Sequence, residues 1–198
     1  MSNWLKQTRT VLWTLVAVAA IGATGLYGYT TMIRPAPVDD IGQGDYRLMT
    51  TSGAEFTRAS FNGSPSMLFF GFTHCPDVCP TTLAEMTNWY EKLGAEAKDL
   101  KAYFVTVDPE RDTPEIVADY VAWTEKVTGL TGSLDDIEKT AKAWAVYFAK
   151  VPFDDGGYTM DHTASVFLLD RNGNFQGTIG YQETSDTALA KLRRLVNG

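Results

Sequence analysis

One stretch constrains this chain more than any other: a short apolar run meets a cysteine pair, and a helical pattern follows. Met67-Leu68-Phe69-Phe70-Gly71-Phe72 leads through Thr73 and His74 into Cys75-Pro76-Asp77-Val78-Cys79-Pro80. A continuous apolar run of this length is the mark of a central strand covered on both faces. The cysteines therefore stand at a strand-to-helix turn, and they are the only two in the chain. A thiol pair in that place has three possible uses. It binds a soft metal, it cycles between dithiol and disulfide, or it forms a structural bridge.

The rest of the pattern places that turn in an α/β domain. Tyr46–Thr50 and Glu55–Thr57 flank Thr51-Ser52-Gly53-Ala54 as a hairpin. Thr81 to about Lys98 carries Leu83, Met86, Trp89, Tyr90 and Leu93 at helical spacing, with Pro80 suited to a first turn. Ala102–Val107 reads as a second buried strand. Thr113 and Pro114 open a further helix whose expected apolar face is Ile116, Val117, Tyr120, Val121 and Trp123. Ser133 caps a helix expected from Leu134 to about Phe148, and Val151 to Asp161 reads as a Gly- and Asp-rich loop. Thr163–Leu169 and Phe175–Tyr181 form a hairpin around Asp170-Arg171-Asn172-Gly173-Asn174. A last helix runs from Asp186 to about Val196. Two buried strands joined by a helix imply a parallel crossover, and the late hairpin adds antiparallel strands. The expectation is an α/β sandwich with a mixed central sheet, and a cysteine pair at the end of its first central strand is the layout of a thioredoxin-like fold.

Charge divides the chain sharply. All 24 acidic residues lie at or after Asp39, and only Lys6, Arg9 and Arg34 of the 17 cationic ones precede it. From Pro35 onward, 14 cationic side chains face 24 acidic ones, a net of −10. Such a surface argues against a nucleic-acid partner and suits a cationic donor or a basic partner patch. Residues 10–33 hold no charge, and a bilayer needs roughly 20 apolar residues. Trp13, Tyr27 and Tyr29 suit interface positions, and Lys6 and Arg9 place the amino terminus in the cytoplasm by the positive-inside rule. The expected organisation is a cytoplasmic segment over 1–9, a transmembrane anchor over 10–33, a linker over 34–45 stiffened by Arg34-Pro35-Ala36-Pro37, and a domain over 46–198. A cleaved signal peptide ending near Ala17-Val18-Ala19 is the alternative, but cleavage there leaves the apolar Ala20–Tyr29 at the new terminus. The domain then lies in the periplasm of an inner membrane, or in an equivalent intermembrane space. Free thiols there need something to keep them reduced.

With three residues between the cysteines, the pair departs from the two-residue spacing of thioredoxin-type redox sites. A turn from Cys75 to Cys79 at a helix start still brings both sulfurs together, and backbone amides there favour thiolates. The chain has two histidines, His74 and His162. His162 opens the strand Thr163–Leu169 just after Asp155-Gly156-Gly157. A strand beside the central one delivers it to the cysteine edge, whereas His74 shapes the turn. Two cysteines and one histidine suit trigonal Cu(I), Cu(II) with a further ligand, or an open zinc site, so the chemistry alone leaves the metal undecided. Asp77 is either a turn residue or a tuner of site charge. Asp108, Glu110, Arg111 and Asp112 form a charged loop on the same edge, either a docking surface or a solvated, helix-capping loop. Met160 is expected to pack.

Three motifs carry a family resemblance. Phe70-Gly71-Phe72-Thr73-His74-Cys75-Pro76-Asp77-Val78-Cys79-Pro80-Thr81-Thr82-Leu83 resembles the signature of the Sco/SenC family of copper chaperones. Val105-Thr106-Val107-Asp108-Pro109-Glu110-Arg111-Asp112-Thr113-Pro114 is similar to that family's second motif, and Met160-Asp161-His162-Thr163-Ala164-Ser165 to its histidine motif. Order and spacing agree from Tyr46 onward, and the amino-terminal anchor agrees too. The resemblance implies a thioredoxin-like fold and copper, Cu(I) or Cu(II), on Cys75, Cys79 and His162. It also implies a role in assembling the binuclear copper centre of cytochrome c oxidase subunit II, with another copper chaperone as a possible donor. Two other functions compete: a thiol–disulfide oxidoreductase, with Cys75 and Cys79 as its redox-active pair, that keeps the oxidase cysteines reduced, and a peroxidase of the thioredoxin superfamily. A pure redox enzyme has no need of His162, and a peroxidase finds no resolving thiol beyond this pair.

Overall fold

In the computed structural model, which describes residues 2–32, 40–154 and 156–198, the chain divides into two units, Met1–Ala36 and Pro37–Gly198. The stiff linker Arg34-Pro35-Ala36-Pro37 expected from the sequence lies outside the described residues, as does Asp155 of the glycine-rich loop. The first unit is one helix, α1, Ser2–Met32. Its apolar stretch, Gln7–Thr30, covers 24 residues at a mean hydropathy of 1.7 and has the length and composition to cross a membrane. At about 1.5 Å per residue it exceeds a hydrocarbon core of roughly 30 Å. Several of its threonine hydroxyls are turned back onto the helix: Thr14 donates to the Val11 carbonyl, Thr24 to Ala20 and Thr30 to Tyr27. Such internal bonding lets a polar side chain sit in an apolar surrounding.

The second unit is built on a seven-stranded sheet. Its strands, in chain order, are β1 Arg47–Thr50, β2 Glu55–Thr57, β3 Ser66–Gly71, β4 Lys101–Thr106, β5 Val127–Thr131, β8 Val166–Leu169 and β9 Phe175–Ile179. A separate two-stranded sheet pairs β6, Phe148–Pro152, with β7, Tyr158–His162. The order across the large sheet is β2-β1-β5-β4-β3-β8-β9, with β3, β4 and β5 parallel and the outer strands antiparallel. Helices α2 (Val78–Leu93), α3 (Pro114–Ala122), α4 (Leu134–Ala143) and α5 (Ser185–Asn197) flank it.

Every residue of β3 is buried, as its unbroken apolar run requires. Helix α2 covers it with Cys79, Thr82, Leu83, Met86, Trp89 and Leu93, a stripe at helical spacing. Gly71, at the end of β3, has no room for a side chain. A Cβ there meets the Phe104 ring at 2.7 Å and the Cys79 sulfur at 2.9 Å. Thr113 and Ser133 cap α3 and α4 by accepting from the Ile116 and Asp136 amides.

Several local expectations change, among them the loop expected over Val151 to Asp161, which is in part the β6–β7 hairpin. Helix α2 begins at Val78 rather than Thr81, so Cys79 lies inside its first turn. Only Val117 and Val121 of α3 are buried, with Tyr120 partly so, while Ile116 and Trp123 face solvent. Strand β5, Val127–Thr131, has no counterpart among the expected elements. Helix α4 stops at Ala143 rather than near Phe148. There the fully buried Trp144 turns its ring onto Gly42, whose φ of +80° and missing Cβ admit it, and donates from Nε1 to the Tyr46 hydroxyl at 3.2 Å. Ala145 takes a φ of 52°, breaking the helix so that β6 can begin.

Candidate metal centre

The two thiols reach the site from the core. Strand β3 ends at Gly71, the Cys75 amide donates back to the Phe72 carbonyl at 3.3 Å, and Cys79 is drawn under by α2. Cys79 is fully buried; Cys75 is partly exposed. The Cys79 amide, one of the unpaired donors of the first helical turn, points at the Cys75 sulfur at 3.3 Å.

His162 arrives by a different path from the one its sequence position suggests. It is the last residue of β7, in the small sheet, and not the first of a strand in the large one. Because β8 runs antiparallel to β3 and starts beside Phe69, the chain entering β8 must pass the carboxyl end of β3. His162 therefore still comes to the cysteine edge. Its Nε2 lies 3.5 Å from the Cys79 sulfur. The rings of Phe69 and Phe72 stand edge-on to the imidazole at 6.2 and 5.8 Å. Nδ1 lies 3.0 Å from the Thr163 carbonyl. A carbonyl only accepts, so Nδ1 is the donor there, and in the neutral ring the lone pair of Nε2 is the one on the sulfur side.

The donor atoms of Cys75, Cys79 and His162 all lie within 4.8 Å of one another, close enough for one ion to touch all three. Among the described residues this is the one such group. The donors are two thiols and an imidazole, a soft to borderline set with no carboxylate.

The electrostatics set the two thiols apart. Cys75 is pulled down to about 4, chiefly by the hydrogen bond from Cys79, with burial opposing. Cys79 is pushed up by that same bond first and by its burial second. The pair thus holds one proton, on the inner sulfur, and presents a thiolate at the outer one. The Tyr120 hydroxyl is buried with no hydrogen-bond partner among the described residues. Its phenol is pushed up, chiefly by burial.

The other residues singled out from the sequence fall into place around this group. His74 is half-exposed, bonds through Nδ1 to the Thr73 hydroxyl at 3.1 Å, and stands outside the metal-donor group. Asp77 precedes α2 and accepts from the Thr81 hydroxyl at 3.4 Å. Met160 is packed in the core. The charged loop is only partly solvated: Glu110 is half-exposed, but Asp108 and Asp112 are 1% and 0% exposed. Asp112 accepts from the Thr73 amide at 3.0 Å and the Thr73 hydroxyl at 2.6 Å, and from the Thr106 hydroxyl. Its carboxylate thereby holds the residue that leads into the cysteine turn. Sequence reading missed this role, although Thr73 and Thr106, short donors at the ends of two adjacent strands, were the available signal.

The SCO1/SenC family model matches residues 35–197. The mouse protein called Protein SCO2 homolog, mitochondrial, is 36% identical over 159 residues, 78% of this chain and 62% of that protein. The chain thus spans less than two thirds of that relative's length. The structure of Bradyrhizobium japonicum ScoI with copper bound is 41% identical, with a TM-score of 0.70 over 77% of this chain and 98% of that one. A structure of BsSco, described as having a disulfide switch and as a member of the Sco family of cytochrome c oxidase assembly proteins, is 25% identical, with a TM-score of 0.63 over 83% and 98%. The sheet and its flanking helices are the thioredoxin-like fold expected from the sequence.

Proposed function

The chain belongs to the SCO1/SenC family, and on that premise we propose that it is a copper carrier for the assembly of cytochrome c oxidase. Copper is its cargo, held by the thiolates of Cys75 and Cys79 and by Nε2 of His162. The observation that carries this reading is the third donor. An imidazole with Nδ1 tied to a carbonyl and Nε2 aimed at a buried sulfur 3.5 Å away suits a metal and is needless for thiol exchange. Two thiolates suit Cu(I), and the imidazole extends the set to Cu(II). The destination is the binuclear copper centre of the oxidase subunit II, with another copper chaperone as donor.

The apolar α1 supports an anchor over 10–33, between a cytoplasmic segment over 1–9 and a linker over 34–45, with the carrier domain over 46–198. Lys6 and Arg9 favour the cytoplasmic side for the amino terminus, so the domain stands in the periplasm or an equivalent intermembrane space.

A thiol–disulfide role for the same pair is favoured by one observation: a partly exposed, low-pKa Cys75 stands over a buried, protonated Cys79, the asymmetry of an attacking and a resolving thiol. His162→Ala separates the two readings. The reduced full-length wild type in detergent takes up one copper, and the variant keeps its dithiol exchange on a model disulfide while losing most of its Cu(II) affinity. In cells at limiting copper, the variant leaves oxidase assembly defective at normal protein level. Normal assembly in that variant overturns the carrier reading and promotes the reductase.

A further inference from the structure

We propose that the loop between β4 and α3, residues 108–112, is a bracket that sets His162 at its distance from the thiols, and that Tyr158 is the positioning residue through which it grips the histidine hairpin. The proposal rests on the copper reading above for the importance of His162, but its structural core does not. The β6–β7 hairpin shares no strand pairing with the seven-stranded sheet. A lone two-stranded hairpin is marginal in water, so the place of His162 must be fixed by side chains. Alternate residues of β7 share a face: Tyr158, Met160 and His162. Met160 enters the core and His162 meets the thiols.

Tyr158, at the far end, meets the bracket. Its hydroxyl donates to Asp108 Oδ1 at 2.9 Å. The other oxygen of this buried carboxylate accepts from Arg111 Nε. Arg111 also donates to the Tyr158 carbonyl at 2.9 Å and lays its guanidinium 3.7 Å over the Tyr158 ring. The second strand is held as well: Lys150 lies 4.7 Å over the same ring and pairs with Glu110 at 2.6 Å. On its other side, the same loop holds the cysteine turn, through Asp112 and Thr73. The Asp108 carbonyl joins the two grips by accepting from the Arg111 and Asp112 amides at 3.1 and 3.0 Å. One five-residue loop thus touches both halves of the metal-donor group, neither through a donor residue itself.

The test uses Tyr158→Ala and, should that variant fold poorly, Tyr158→Phe, which removes only the hydroxyl. In the reduced, copper-free full-length protein, amide exchange across 158–162 accelerates in the variant while β3 and β4 stay as protected as in the wild type. With copper, Cu(II) affinity falls by about 10–100-fold for Tyr158→Ala and less for Tyr158→Phe, the range for residues that orient a ligand. Cu(I) on the two thiolates is held as before. Added to His162→Ala, Tyr158→Ala lowers Cu(II) affinity no further, since both act on one donor. Unchanged exchange in the hairpin overturns the proposal. So does unchanged Cu(II) affinity in Tyr158→Ala, or a full additive loss in the double variant. If His162→Ala alone leaves Cu(II) affinity intact, the copper reading fails, and amide exchange still decides the bracket.

Discussion

The two halves of the donor group are built on opposite principles. Cys75 and Cys79 hang on β3 and α2, where every β3 residue is buried and the first helical turn aims an amide at a sulfur. His162 hangs on a two-stranded hairpin whose outer face shows Tyr147, Val151 and Phe153 to solvent, each at least 43% exposed. Apolar packing holds the first half; the Asp108, Arg111 and Tyr158 contacts hold the second. Packing is hard to displace, because a close-packed core resists small shifts. A latch of a few directional polar contacts, with Arg111 still partly exposed, opens at lower cost. The thiols are thus the fixed part of the site and the imidazole the adjustable part.

Three measurements break or sharpen this contrast. The largest effect concerns the thiol half. In the reduced, metal-free protein the Cys75 thiolate persists until pH falls through about 4, because Cys79 donates a hydrogen bond to it. Cys79→Ala removes the donor, and the Cys75 midpoint climbs toward the ordinary thiol value of about 8.5. The rate of alkylation against pH reads this directly. The wild type stays flat from roughly pH 8 to pH 5, and the variant loses its rate over that range as the thiolate is protonated. A shared midpoint shows that the pair does not hold its proton as described.

A middling effect tests the packing under the thiols. Gly71→Ala forces a methyl between the Phe104 ring and the Cys79 sulfur, both under 3 Å from the new Cβ. Overpacking of this kind costs about 1–3 kcal/mol, read by denaturant unfolding of the domain. An unchanged midpoint means that the core below the site yields, and the contrast between halves weakens. The smallest effect belongs to the hairpin surface. Val151→Thr, at 43% exposure, changes stability by less than about 0.5 kcal/mol. A larger loss shows that something covers this face.

The same contrast explains what the sequence made legible. Strand β3, α2 and the place of the thiols were readable because packing writes itself as periodicity: an unbroken apolar run, then a helical stripe ending at Leu93. Strand β5 was not. Its Val127-Thr128-Gly129-Leu130-Thr131 is short, and Gly129 looks like a breaker until the fold shows Val117 and Thr51 side chains 2.6 and 2.8 Å from where its Cβ would be. Strands β6 and β7 escaped notice because a hairpin outside the large sheet has little buried face, and Pro152 with Lys150 disguises it further. The approach of His162 to the cysteines followed from the chain entering the strand beside β3, though the residue itself sits in another sheet. Asp108 and Asp112 read as part of a docking surface or of a solvated, capping loop because their partners, Tyr158 and Thr73, are 50 and 39 residues away. Sequence spacing carries no trace of such pairs.

The separation of 83 residues between Cys79 and His162 also orders events in time. A chain made at about 5–20 residues per second has its thiols roughly 4–17 s before its imidazole. During that interval the nascent chain is a bare dithiol, open to any oxidant it meets, and it becomes a three-donor site only when β7 is made and the hairpin closes. A reductant that meets the chain during that interval therefore acts on two thiols alone, before there is a three-donor group for it to recognise.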